Sequence, residues 1–105
     1  MAQFDVHRNT NPATRTRIPY LLDVQADLLD SLATRVVVPL AKPEVLGGKI
    51  AERLSPVFEV DGRKLVMLTP ELAGVPRKTL GQRVGSLAGE RLSIIAALDL
   101  VFTGI

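Results

Sequence analysis

The chain has few residues that could do acid–base or metal chemistry. His7 is its single histidine and cysteine is absent, so a metal site with the usual histidine and cysteine spacing cannot be assembled. His7 alternates with Phe4 and Val6 in a segment typical of a half-buried strand, which predicts a solvated histidine on the polar face. Gly47 and Gly48 lack the pattern of a phosphate-binding loop. We therefore expect no catalytic histidine, no metal and no cofactor.

The charged residues favour structural roles. Asp23, Asp27 and Asp30 form a carboxylate cluster, in which Asp27 and Asp30 could both cap or close a turn, and that role is favoured over acid–base work. A possible basic patch lies on predicted loops without interleaved aromatic residues, and consists of Arg15, Arg17, Arg77, Lys78 and Arg83. A solvated surface is the simplest interpretation of that patch. Nothing here selects an enzyme class, so we expect a protein that is not an enzyme.

The strongest pattern is apolar and lies in residues 92–105. Ile94, Leu98, Val101 and Ile105 recur at helical spacing, with Ile95 and Phe102 beside them. Gly104 is suited to the left-handed conformation that ends a helix. The pattern predicts either a core helix or an apolar end presented to a partner. Leu28 and Leu29 lie between carboxylates in a short segment and are hard to bury together, so at least one is expected to face a partner.

The elements that must position these residues are mostly short strands. Strands are predicted at residues 3–8, 20–24, 35–40, 54–60 and 64–68, with a possible short edge strand at 70–76. Asp61 and Gly62 are typical of a type I′ hairpin turn. Pro39 predicts an edge, a bulge or a strand end. Residues 9–17 and 41–48 are expected to be loops, the first long, mobile and basic at its end. Residues 77–85 are expected to be irregular, and a final helix is expected to begin near Leu87.

This order predicts an α+β fold in which a small, mainly antiparallel barrel is covered by a C-terminal helix. The 105 residues are enough for one domain over 1–105, 47% of them are hydrophobic, and the net charge is +2. We expect a cytoplasmic protein, because the sequence shows no secretory signal and no apolar run long enough to cross a membrane. The mild positive charge permits contact with nucleic acid without arguing for it.

Several segments together resemble one family. They are Gln3-Phe4 with Val6, the octet at 23–30 (DVQADLLD), the strand at 35–40 (RVVVPL), Pro56-Val57, residues 67–69 and 73–76, and the ending at 102–105 (FTGI). In this order and in a chain of this length, they resemble the CcdB family, toxins of type II toxin–antitoxin modules that poison DNA gyrase. The resemblance covers essentially the whole chain.

The resemblance implies an SH3-like, CcdB/MazF-like barrel with a C-terminal helix, and a homodimer. It implies that the toxin binds the gyrase A subunit and traps the complex with cleaved DNA, which blocks replication and transcription in a plasmid-maintenance role. It also implies a CcdA-like antitoxin, through which operator DNA is bound indirectly. By position, the implied gyrase-binding residues are Leu28, Leu29, Asp99, Phe102, Thr103, Gly104 and Ile105. The implied antitoxin-binding residues are Arg8, Arg15, Arg17, Val45, Leu46 and Lys49.

The chain departs from the family pattern in two places. The best-known member ends in Phe-Trp-Gly-Ile, whereas Thr103 occupies the position of the tryptophan. The loss of an aromatic anchor at an interface typically costs more than about 2 kcal/mol of binding. The loop at residues 8–17 is also longer than in that member, so antitoxin specificity is not carried over.

Two alternatives to gyrase poisoning remain open at this stage. MazF-type toxins share the barrel, so an endoribonuclease could draw on the basic patch and the Asp cluster for the base, acid and phosphate-binding cations that RNA cleavage requires. The other alternative is an interaction module that has lost toxicity and only titrates an antitoxin.

Overall fold

The computed structural model describes residues 2–47 and 53–104. In this part of the chain the strands are β1 (Asp5–Asn9), β2 (Tyr20–Asp23), β3 (Thr34–Ala41), β4 (Val57–Val60), β5 (Arg63–Met67), β6 (Ala73–Pro76) and β7 (Leu80–Ser86). One helix, α1 (Arg91–Thr103), follows them. The strands pair antiparallel in the order β4-β5-β3-β2-β1-β7, and β6 pairs with β3 beside this path.

The sheet curls around one main core that α1 helps to close. Val6, Leu22 and Leu40 of the sheet are fully buried, and Ile94 and Ala97 of α1 join the same cluster. Removing these aliphatic side chains from water is the main favourable term that holds the helix on the sheet. The predicted α+β class is therefore confirmed, with the mainly antiparallel SH3-like barrel present as a curled half-barrel.

Pro39 lies inside β3 rather than at an edge, a bulge or a strand end. One side of β3 pairs with β2, whereas the other pairs first with β6, up to Val37, and then with β5, from Leu40. The Pro39 carbonyl accepts a hydrogen bond from the Leu68 N–H, so Pro39 faces the side on which the partners change. The N–H that Pro39 lacks would therefore point between the β6 and β5 pairings, where no hydrogen-bond donor is required.

Residues 77–85 were expected to be irregular, and this expectation is wrong, because most of them form β7 against β1. A Cβ atom on Gly81 would lie 2.7 Å from the Arg8 carbonyl oxygen. The two backbones therefore approach so closely that only glycine fits. The register between β1 and β7 shifts around His7, which marks an irregular ladder. Gly81 here marks a close approach of two backbones rather than the end of structure.

The remaining boundaries differ by a few residues from the predicted ones. β1 begins at Asp5 because Phe4 has a φ of 72°, and β4 begins at Val57. The Asp61-Gly62 turn has φ values of 53° and 76°, as the type I′ prediction requires. β6 pairs with β3 alone, which confirms the short edge strand. The structure describes no helix with both the length and the hydropathy to cross a membrane.

The final helix begins later than residue 87 and keeps its predicted stop. A 3₁₀ turn (Ala88–Glu90) precedes α1, and Gly104 has a φ of 77° with its N–H bonded to the Leu100 carbonyl. Burial fades along the helix, from Ile94 in the core to Phe102, which is 66% exposed. Ile105 lies outside the described residues. The helix thus contributes to the core through Ile94 and Ala97 and presents exposed side chains at both its start and its end.

Candidate protein-binding surfaces

The structure removes His7 from the solvent. His7 is 4% exposed and its Nδ1 lies 3.1 Å from the Gly81 carbonyl oxygen, so Nδ1–H is the donor and Nε2 is buried without a partner. The predicted solvated position is wrong, because β1 is paired on both edges and β7 covers it. A substrate cannot reach this imidazole without opening the sheet.

Asp5 lies beside His7 and joins β1 to β7. Its burial raises the pKa of the carboxyl, but hydrogen bonds from the Ala2 N–H at 3.0 Å and from Arg83 at 3.0 Å outweigh this effect. The nearby His7 lowers it further, so the net pKa lies below the ordinary value. Asp5 therefore remains an ionised structural carboxylate and is unsuited to act as a general acid.

The predicted carboxylate cluster closes and anchors a turn. Arg35 Nε lies 2.9 Å from Asp23 Oδ2, and Arg35 Nη2 lies 2.6 Å from the same oxygen, with both side chains fully buried. Arg35 Nη1 donates to Asp30 Oδ1 at 3.0 Å. Asp27 Oδ1 accepts the Gln3 N–H at 2.7 Å. The structural interpretation of the three carboxylates is confirmed, and within the described residues no cluster of metal-ligating side chains is found.

These polar contacts hold residues 27–32, a segment that exposes several leucines and that we call the leucine turn. Leu28 is 92% exposed and Leu29 is 45% exposed, on a 3₁₀ turn (Asp27–Leu29). Leu32 is 46% exposed and was missed in the sequence, although it is the third leucine of the same polar segment. The expectation that this leucine pair resists burial is confirmed.

The other predicted contact residues lie at the end of α1. Asp99, Phe102, Thr103 and Gly104 are exposed. The Thr103 hydroxyl donates to the Asp99 carbonyl at 2.7 Å, so its polar group is used within the helix. The surface offered at this end, among the residues described, is therefore mainly the ring of Phe102.

In this chain, the leucine turn and the exposed residues at the end of α1 lie near opposite ends of that helix. Asp27 accepts from the Gln3 N–H, and the Gln3 side chain accepts from Arg91 Nη1 at 3.1 Å, so the leucine turn is tied to the first residue of the helix. Phe102 follows Arg91 by eleven positions, or about 16 Å along the helix axis. Leu92, which is 86% exposed, adds an apolar side chain at the helix start that the sequence analysis did not single out.

The structure brings the two predicted antitoxin-binding segments together. Residues 10–17 form hydrogen-bonded turns, including Arg15 N–H to the Asn11 carbonyl at 2.9 Å, and the Arg17 carbonyl accepts the Lys42 N–H at 3.0 Å. Ile18, Val45 and Leu46 pack on a small second cluster formed by Ala41, Val66 and Leu68. Arg8, Arg15 and Arg17 are exposed, whereas Lys49 lies outside the described residues.

A cleft of about 490 Å³ adjoins the first of these segments. Its apolar surface comes from Ile18, Leu21, Pro39, Val75 and Pro76. Polar groups that border it come from Asn9, Thr10, Asn11, Thr14 and Thr79. The predicted basic patch is partly neutralised, because Arg77 pairs with Asp30 and Arg83 pairs with Asp5. The arrangement suits contact with another polypeptide better than phosphate chemistry.

Comparison with known proteins agrees with this reading of the fold. The sequence model of the family described as CcdB protein matches residues 3–104, and the chain belongs to that family. The membership supports a toxin role within a toxin–antitoxin system. A similar solved structure is described as an endoribonuclease in complex with its cognate antitoxin from Mycobacterial species. It is 13% identical, with a TM-score of 0.77 over 97% of this chain and 94% of that one, so the likeness is one of fold.

Proposed function

We propose that this chain is the toxin of a type II toxin–antitoxin module and that it acts by binding the A subunit of DNA gyrase. In this proposal, it traps gyrase on cleaved DNA and so blocks replication and transcription. The observation that carries the proposal is the exposure of Phe102 at the end of a helix that Ile94 and Ala97 anchor in the core. An exposed aromatic ring on a rigid support is the kind of side chain that anchors a protein interface.

A homodimer completes the proposed mode of action. In a two-fold dimer every surface occurs twice, which suits a two-fold symmetric target. Since the leucine turn is tied to the start of α1 and Phe102 lies about 16 Å further along the helix axis, a dimer could present both to one target surface. The membership of the CcdB family supports this arrangement.

Thr103 changes how the target is held. A threonine whose hydroxyl bonds to Asp99 offers little surface, so Phe102, Ile105 and the leucine turn must supply the apolar anchor. We therefore expect weaker binding than in family members with tryptophan at this position, by more than about tenfold.

A CcdA-like antitoxin is the proposed second partner. We assign its contacts to Arg8, Arg15 and Arg17 and to the neighbouring segment with Val45, Leu46 and Lys49. The exposed guanidinium groups suit an acidic segment that folds on binding. Support comes from the solved neighbour, which is in complex with its cognate antitoxin. Operator DNA would be contacted through the antitoxin.

A gyrase cleavage assay tests the proposal. Purified protein, gyrase, supercoiled plasmid and ATP are mixed, then treated with detergent and protease. We expect linear DNA with the wild-type chain and none after deletion of residues 103–105. Phe102→Ala is expected to reduce poisoning at least tenfold. The matched control is Val57→Ala, which shortens another exposed apolar side chain, on β4. Circular dichroism verifies that each variant is folded.

The outcomes separate gyrase poisoning from its alternatives. Poisoning that survives the deletion contradicts the proposed role of the helix end. Antitoxin binding without linear DNA or growth arrest indicates a module that only titrates the antitoxin. An endoribonuclease is supported by the fold of the solved neighbour, but in the basic patch Arg77 pairs with Asp30 and Arg83 pairs with Asp5, so we rank it second. Cleavage of single-stranded RNA by the pure protein would favour it.

A further inference from the structure

A series of ion-paired side chains connects the core to the base of the leucine turn. It begins at the buried pair of Asp23 and Arg35, continues from Arg35 Nη1 to Asp30 Oδ1 at 3.0 Å, and ends where Arg77 Nη2 donates to the same Oδ1 at 3.0 Å. Arg77 Nη2 also donates to the Asp30 carbonyl. Asp30 is thus held by two arginines from different parts of the fold.

The buried pair of Asp23 and Arg35 fills the core at a high desolvation cost. Arg35 is the largest fully buried side chain, and desolvation of a guanidinium and a carboxylate opposes folding even when they pair. A methionine or leucine could occupy such a site without that penalty. Because a buried ion pair is weak evidence for stability, its best-supported use is to fix one geometry.

The geometry that is fixed is that of the exposed leucines. Gln25 Nε2 donates to the Leu29 carbonyl at 3.0 Å, and the Gln25 side-chain oxygen accepts the Val36 N–H at 3.0 Å. Within the turn, the Leu29 N–H bonds to Ala26 and the Leu32 N–H bonds to Leu29. Leu28 therefore projects into water from a backbone that is hydrogen-bonded on both sides of it. This exposure does not stabilise the isolated chain.

We infer that Arg77 and Arg35, joined through Asp30, are positioning residues that hold the leucine turn ready for its partner. This inference rests on the proposed function, since it assigns the turn to the gyrase interface. A partner that meets a prearranged turn avoids the cost of ordering it on binding. Arg77 is the more exposed of the two arginines that hold this segment. Its side chain bonds to Asp30 and its backbone N–H bonds to the Ala33 carbonyl at 2.8 Å, so it contacts the segment at two points.

Arg77 is the better test position, because its side chain is 36% exposed and its loss leaves the core intact. The Kd for the purified gyrase A subunit is measured for the wild type, Arg77→Ala, Leu28→Ala/Leu29→Ala and the triple variant. We expect Arg77→Ala to weaken binding about tenfold in the wild type and to have no further effect in the Leu28→Ala/Leu29→Ala background. Arg77→Lys should recover part of the affinity. The matched control is Lys78→Ala, which removes the neighbouring cation and should change Kd less than twofold.

Hydrogen exchange of the free protein tests positioning without any partner. Arg77→Ala should speed exchange at the amides of Leu29, Asp30 and Leu32, and Lys78→Ala should not. Unchanged protection in Arg77→Ala overturns the inference. An equal loss of affinity in both backgrounds also overturns it, since Arg77 would then act independently of the leucines. If the wild type does not bind the A subunit, the proposed function fails, and the exchange result still decides whether Arg77 positions the turn.

Discussion

The leucine turn and the end of α1 both expose apolar side chains, but they are supported in different ways. Leu29 is 45% exposed and Phe102 is 66% exposed. The turn is held by side chains from outside it, including Arg35 in β3, five positions from Asp30, and Arg77 after β6, 47 positions from Asp30. The helix end is held by bonds four residues apart, from Thr103 to Asp99 and from Gly104 to Leu100.

The leucine turn therefore has support from residues far away in the sequence, whereas the helix end is supported by local bonds. A helix end whose bonds are local keeps its shape when its side chains change, so Thr103 can replace an aromatic residue without altering the backbone. The leucine turn depends on buried charges, and its geometry is sensitive to changes far away in the sequence. Under the proposed function, target affinity could therefore be changed at the helix end with little loss of stability, whereas a change at the turn would also destabilise the protein.

Breaking the long-range support should have the largest effect. Arg35→Ala leaves the Asp23 carboxylate buried without its partner, which we expect to lower the free energy of unfolding by about 3–5 kcal/mol. Denaturant titration measures the loss. In the folded fraction, hydrogen exchange should speed up in the leucine turn. The matched control is Asp99→Ala, which removes an exposed charge from the helix end and should cost less than about 0.5 kcal/mol. A loss below about 1 kcal/mol for Arg35→Ala would contradict the role of the ion pair.

Breaking the local support should have a smaller and confined effect. Gly104 has a φ of 77°, so Gly104→Ala forces a side chain into the left-handed region and should cost about 1 kcal/mol. Exchange should speed up in the last turn of α1 and stay unchanged in the leucine turn. Gly89→Ala is the control, because a Cβ there meets open space and no left-handed φ is involved. Equal losses in the two variants would show that the cap is not the cause.

Elements with local chemistry could be predicted from the sequence. The Asp61-Gly62 turn, the stop at Gly104 and the exposure of Leu28 follow from residue types a few positions apart. Five of the strands and the helix were placed within a few residues for the same reason, because apolar periodicity reports which face is buried. The assignment of a particular partner to the two surfaces required the resemblance to a family, since exposure alone does not name a partner.

Features that depend on distant backbones could not be predicted. β7 contains Gly81 because the Arg8 backbone passes close to it, and no residue near Gly81 in the sequence reveals that approach. His7 is buried because β7 covers β1, so missing the strand also misplaced the histidine. Arg35 begins the predicted strand at 35–40, yet it lies in the core because it pairs there with Asp23, which is 12 positions away.

Acid should loosen the long-range support slightly and leave the local one intact. The pKa of Asp5 is lower in the folded protein than the ordinary value of about 3.9, so its ionised form stabilises the fold above that pH. This contribution is lost as the pH falls through the lowered pKa. Asp5 also accepts the Ala2 N–H, next to the Gln3 N–H that bonds to Asp27. Its protonation should therefore speed exchange in the leucine turn before it affects the last turn of α1.

The comparison of Asp5→Asn with the wild type isolates this effect. The variant should be less stable at pH 7 by less than about 1 kcal/mol, because the ion pair with Arg83 is partly exposed. The difference should shrink as the pH is lowered below 4, since the wild-type carboxyl then also loses its charge. Asp99→Asn removes a carboxylate from the helix end and serves as the control. Parallel stability curves for Asp5→Asn and the wild type down to pH 2 would show that Asp5 does not contribute to the acid dependence of stability, and unchanged exchange in the leucine turn of the acidified wild type would show that Asp5 does not link acid to that turn.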